Sequence, residues 1–225
     1  MNLDKSNAFE RSQGSEISDL LAKNKVLRQT YILLSINLLF SALCSYIGML
    51  MNVRIPGLLY IVGVFGLSFL VQKNRNSGSG IIWLFAFTGF LGLAISQLLN
   101  AYLALGLAAV VVKALVGSAV IFGGLSCYAL FTRRDFSFLG AFLFVGLLIG
   151  ILAAAGAMIF GMTGMQVALS ALFLFIFSGY VLYDTSNIIQ GYETNYITAT
   201  MTLFIDIFQI FIHLLQLLAA FSGRD

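Results

Sequence analysis

Charge is what this sequence has least of. Only 9% of its 225 residues are Asp, Glu, Lys or Arg, one is proline, and 60% are hydrophobic, a balance that excludes an ordinary soluble domain. The single histidine, His213, and the two cysteines, Cys44 and Cys127, fall in three different apolar runs, so the ligand spacing of a zinc site is missing. A cysteine inside such a run behaves as a small hydrophobe, which argues against a structural disulfide. No nucleophile elbow, phosphate loop, HExxH pattern or rhomboid-like serine with a paired histidine occurs. The chain therefore reads as a protein that is not an enzyme and needs no cofactor. Its net charge of +3 records membrane orientation rather than a nucleic-acid partner. The first 30 residues are polar and carry Asp4, Glu10, Glu16 and Asp19, unlike a signal peptide. No internal repeat or low-complexity tract is present.

What the sequence has in abundance is continuous apolar chain. Runs at 31–51, 55–71, 81–102, 108–131, 138–160, 167–183 and 197–221 each approach the roughly 20 residues that cross a lipid bilayer as a helix. A β-barrel would instead alternate apolar and polar residues in segments of about ten. The expected fold is all-α, a polytopic membrane protein of seven transmembrane helices. Residues 1–30 would form a cytoplasmic tail, 31–221 the transmembrane domain and 222–225 a short C-terminal tail. Short connections make successive helices antiparallel neighbours.

Lys5, Arg11, Lys23, Lys25 and Arg28 lie in the N-terminal tail, Lys73 and Arg75 in the second loop, and Arg133 and Arg134 in the fourth, against only Arg54 in the loops of the other side. This asymmetry places the N-terminus and the second, fourth and sixth loops in the cytoplasm. If the seventh run spans fully, the C-terminus lies outside; if it re-enters, Arg224 and Asp225 return to the cytoplasm. Residues 15–28 put Ile17, Leu20, Leu21 and Leu27 near helical spacing beside lysines, which suits either a short interfacial helix or a flexible tail. Glycines such as Gly63, Gly66, Gly123, Gly124, Gly146 and Gly150 read as surfaces where helices approach closely.

The few polar groups inside the runs carry the functional information, because an ionisable side chain at the centre of a membrane helix costs about 2.5–3.5 kcal/mol on insertion scales. Lys113, near the start of the fourth run, can snorkel to the interface, and Asp135 belongs to a solvated loop. Asp184 and Asp206 differ. The sixth helix should continue past Asp184 to Gly191 and the seventh begin after Asn195, which leaves both carboxyl groups at similar depth in an antiparallel hairpin. Two carboxylates sharing a low-dielectric site should titrate as one unit. Such a pair can act as a proton-sensitive latch and as a cation site. Alternatively, each aspartate pins a neighbouring backbone separately.

Thr202, Asp206, Gln209, His213 and Gln216 follow at steps of four, three, four and three, a single polar stripe on an apolar helix. In lipid that stripe must face the bundle interior. His213 could shuttle or gate protons, with an unperturbed pKa of about 6.5, or simply donate to a nearby acceptor.

The runs YALFTRRDFSFLGAFLFVGL (128–147), YDTSNIIQGYETNYI (183–197) and LFIDIFQIFIHLLQLL (203–218), with KVLRQTYILLS (25–35) near the start, resemble the bacterial branch of the Bax inhibitor family, closest to its YccA-like inner-membrane members. The resemblance implies seven helices with the last one central. It also implies an aspartate pair, here matching Asp184 and Asp206, that forms a pH-sensitive latch over a calcium-permeable path and would bind calcium transiently. In the family a basic residue of the second helix is thought to join the latch. The run 55–71 has none, and the nearest basic partners are Lys73 and Arg75. Gln209 stands where asparagine is common in the family, and Gln216 where arginine is frequent. Members of this branch are also similar to proteins that modulate the membrane protease FtsH, with the cytoplasmic tail as a handle. The implied location is the bacterial inner membrane, with calcium or another cation, the lipid bilayer and FtsH as partners.

Overall fold

A computed structural model of the chain describes residues 3–162 and 164–222, with side chains from Lys25 onward. Its helices are α1 (Leu3–Leu50), α2 (Gly57–Asn74), α3 (Ser79–Ala104), α4 (Ala108–Thr132), α5 (Leu139–Ile159), α6 (Met165–Gln190) and α7 (Tyr196–Ser222). Each contains a segment long and apolar enough to cross a membrane, that of α1 being Lys25–Leu50. Helices are the form these sequences must take in lipid, where every backbone N–H and C=O has to be paired inside its own segment. Their outward faces carry large apolar side chains such as Leu39, Phe65, Phe131 and Phe175, all more than 60% exposed. That surface would be a hazard in water and is the ordinary surface in a bilayer.

Helix ends follow local chemistry. Gly191 adopts a left-handed backbone (φ 81°) that ends α6, and the Tyr192 amide turns back to the Asn187 carbonyl at 2.9 Å, a Schellman-type stop. Asn195 then caps α7 by accepting hydrogen bonds from the Ile197 and Thr198 amides at 2.9 and 3.2 Å. The expected hairpin between Asp184 and Asp206 is therefore present. α7 is a continuous helix of 27 residues, about 40 Å long. Residues 223–225, with Arg224 and Asp225, lie outside the described residues, as do the side chains of residues 1–24.

α7 is the central helix: it packs against α1, α2, α3, α4 and α6, whereas among the described residues α5 packs only against α6. The largest core group joins Leu34, Leu84, Phe87, Ile188, Leu203 and Phe204 from α1, α3, α6 and α7. Between α1 and α3, Thr88 donates to the Asn37 carbonyl oxygen at 2.8 Å, and Asn37 donates to Leu33. Close approach there depends on Gly92, where a Cβ would stand 2.3 Å from the Ser41 carbonyl oxygen. Of the glycines expected to pack, Gly63, Gly146 and Gly150 meet Phe90, Ile176 and Phe173, but Gly66, Gly123 and Gly124 face open space. Small size permits close packing without causing it.

At one end of the bundle the second, fourth and sixth loops are tied together. Asn195 donates to the Arg75 carbonyl (2.9 Å) and to Asn76 (3.0 Å). Ser186 accepts from the Phe136 amide (2.9 Å) and donates to the Arg134 carbonyl (3.2 Å), while Gln190 donates to the Arg133 carbonyl (3.0 Å). Tyr192 donates to Asp135 at 3.0 Å. The solvated Asp135 carboxylate also accepts from the Ser137 amide, and that bond holds its pKa below the usual carboxylate range. The bond from Tyr192 and the negative charge of Asp135 in turn raise the phenol. Lys73, Arg75, Arg133 and Arg134 are exposed at this basic end.

Candidate functional site

The hairpin of α6 and α7 brings Asp184 and Asp206 together. Counted from the helix ends at Gln190 and Tyr196, they lie about 9 and about 15 Å inside the bundle. The two carboxyl groups are close enough for each to feel the other's charge, and the Thr202 hydroxyl lies near Asp184. Thr202 itself donates to the Ala199 carbonyl at 3.2 Å. Asp206 is 3% exposed, and its Oδ2 has no hydrogen-bond partner. Two facing carboxyl groups away from water carry one negative charge far more readily than two, so a proton shared between them is the simplest state. A hard cation could replace that proton, since it is attracted to the same oxygens.

Beyond the pair the stripe continues along α6. Gln209 is half-buried one turn further on. The His213 imidazole lies nearly parallel to two rings of α6, Phe173 (centroids 4.9 Å apart, planes 19°) and Phe177 (6.3 Å, 12°). Gln216 lies near His213 on the same face of α7 and accepts from Ser170 of α6 at 2.7 Å. The His213 Nδ1 is buried without a partner. All five stripe residues are thus buried or half-buried, and Thr202, Asp206, His213 and Gln216 meet α6.

Lys73 and Arg75 are not brought to the pair. Both are exposed at the basic end, and among the described residues neither makes an ion pair with an aspartate. The charged group that bears on Asp184 besides Asp206 is Glu193 of the sixth loop. Cys44 and Cys127 are free thiols, and no group of three or more potential metal-ligating side chains occurs among the described residues. A cation at the pair would have two carboxyl groups and one hydroxyl as protein ligands, with water completing its shell.

Sequence reasoning missed Ser170, Phe173 and Phe177. A signal existed: stepping back from Asp184 by seven, eleven and fourteen residues reaches Phe177, Phe173 and Ser170, the spacing of one helix face.

Cavities flank α7, and two of them bear on the stripe and the core. One, of about 340 Å³, lies between α1 and α4 and is lined largely by apolar groups such as Leu38, Leu99, Leu115, Phe204 and Phe208. The other, of about 590 Å³, lies at the end opposite the basic loops and includes Gln166, Ser170, His213 and Gln216 in its wall.

The profile of the family described as inhibitor of apoptosis-promoting Bax1 matches residues 23–223. The chain is similar to the modulator of FtsH protease YccA of Escherichia coli strain K12, with 43% identity over 215 residues that cover 95% of this chain and 98% of that one. The inner membrane protein YccA of E. coli O6:H1 matches with the same identity and coverage. An uncharacterized membrane protein of Vibrio cholerae is 38% identical over 94% of this chain and 96% of its own.

Proposed function

The chain belongs to the Bax inhibitor family, and from that premise we propose that it is a cation leak pathway of a bacterial inner membrane, with calcium as its cargo, gated by protonation of the Asp184–Asp206 pair. The observation that carries this reading is the meeting of two carboxyl groups from α6 and α7 well inside a membrane-spanning bundle, one of their oxygens without a donor. Intramembrane carboxyl groups are costly to keep and usually mark ion or proton paths. The pair and Thr202 supply fewer oxygens than the six to eight calcium prefers, so the ion is held loosely enough to leave, as conduction requires. Protonation alters both the charge that attracts the ion and the link between the two helices. The lysines and arginines at the loops orient the basic end, and with it the N-terminus, toward the cytoplasm.

The test is calcium flux into liposomes carrying the purified protein, followed against pH for wild type, Asp184→Asn and Asp206→Asn. Each variant is expected to lose the pH dependence. Unchanged flux with unchanged pH dependence in Asp206→Asn would sink the reading.

A second reading rests on similarity along the whole chain to a protein that modulates FtsH. In it the chain binds that membrane protease through its N-terminal segment, and the polar stripe serves only to hold the bundle together.

A further inference from the structure

The larger cavity and the His213 stack lie in register. The exposed Gln166 stands at the cavity's mouth, Ser170 and Gln216 form its polar wall, and Phe173 with His213 forms its floor. Phe177, the other ring of the stack, is 6% exposed and belongs to the core with Val181 and Ile210. From the cavity floor at His213 to Asp206 is seven residues, about 10 Å along the same face of α7, with Gln209 between. At about 590 Å³ the cavity far exceeds the ~30 Å³ of one water, and its hydroxyl and amide groups favour water over lipid tails. The unpartnered His213 Nδ1 adds a polar atom whose burial is costly unless water or a ligand reaches it. Both cavities have mostly apolar walls, but among the described residues the one on the other face of α7 holds only hydroxyl groups, Ser41, Ser45, Tyr46 and Ser118, and no amide or imidazole.

We propose that the cavity opposite the basic loops is a water-filled vestibule for hydrated cations, and that His213, packed against Phe173 and Phe177 in a cluster of three rings, is the gate between this vestibule and the aspartate pair. The nature of the cargo rests on the cation-pathway reading; the vestibule and the gate do not. In the closed state the contacts among the three rings, whose centroids lie 4.9–6.4 Å apart, hold the imidazole in place. When the imidazole leaves the stack it opens the way to Gln209 and presents a ring nitrogen to water or to a passing ion, which a third phenylalanine could not do. Among the described residues no side chain in the cavity wall carries a fixed charge. Tyr102 of α3 is the wall's other titratable group, and Ala154 of α5 and the α6 residues 166–173 contribute none. The vestibule therefore admits ions by hydration, and the aspartates select for positive charge.

The experiment is thiol labelling in the full-length chain carrying Cys44→Ser and Cys127→Ser, with a membrane-impermeant, positively charged methanethiosulfonate supplied to one side of the membrane at a time. Ser170→Cys should label from the side opposite the basic loops only. Gln209→Cys should be protected from that side, should label about tenfold faster once His213→Ala removes both ring contacts, and should stay protected with His213→Phe, which retains a stack. Failure of Ser170→Cys to label, or labelling from the basic side alone, overturns the vestibule. Equal labelling of Gln209→Cys with and without His213→Ala overturns the gate. His213→Phe also serves as the folding control. Labelling does not require transport: a protein that labels as expected but passes no calcium keeps the vestibule and loses the cation-pathway reading, whereas flux without labelling at Ser170→Cys does the reverse.

Discussion

Thr88 and Asn37 are both fully buried and form a polar pair between α1 and α3, where the alternative to pairing is an unsatisfied group in an apolar setting. Thr88→Val preserves shape and removes the donor, which leaves the Asn37 carbonyl oxygen without a partner. The expected loss is about 1–2 kcal/mol, the upper end for such bonds in membrane bundles, read from unfolding in mixed detergent micelles. Asn37→Leu with Thr88→Val should recover part of that loss, because no polar atom is then stranded. The pair was not legible in the sequence. Helical periodicity says which face a residue takes, but the two partners are 51 positions apart and nothing local links them. The stripe from Thr202 to Gln216 was legible for the opposite reason: its members share one helix, so spacing alone aligns them. Its partners Ser170, Phe173 and Phe177 became legible only once Asp184 fixed which face of α6 looks at α7.

Among the elements, the α6–α7 hairpin was readable to the residue, because Gly191 and Asn195 are strong stop and start signals. The ties that fasten it to the other loops were not, since most end on backbone carbonyls that any sequence supplies. Asn195 tests the two roles separately. Asn195→Asp keeps the cap on Ile197 and Thr198 but removes the donors to Arg75 and Asn76. Asn195→Ala also removes the cap, at about 1 kcal/mol. Amide hydrogen exchange in the first turn of α7 should quicken markedly in Asn195→Ala and only slightly in Asn195→Asp, while the second loop loosens equally in both. The Asp135–Tyr192 tie carries a pH signature. A carboxylate held below its ordinary value of 3.8 contributes stability above that value and loses it as pH falls through the folded value, so this tie weakens only in strong acid. Asp135→Asn removes the charge that holds the Tyr192 phenol up. Its ionisation, followed by tyrosinate absorbance, should shift down toward that of ordinary tyrosines; an unmoved titration would show that the bond is absent in solution.

At the scale of the molecule, the ties among the second, fourth and sixth loops and the larger cavity lie at opposite ends. The basic end is pinned through Asn195, Ser186, Gln190 and Tyr192, and the larger cavity opens at the other end. The expected central position of the last helix follows from the same polarity: only a helix surrounded by others can keep a carboxyl group, an imidazole and two glutamines away from lipid. α1 extends helically from Leu3, far ahead of its membrane-spanning segment at Lys25–Leu50. Deleting residues 1–23 should therefore leave thermal unfolding and calcium flux close to wild type. If the FtsH reading holds, the same deletion should abolish co-purification with that protease and the change in its proteolytic rate. Retained co-purification after the deletion would move the contact to the transmembrane bundle or the loops, and a fall in thermal stability would mean that the N-terminal helix packs on the bundle and cannot act as a free handle.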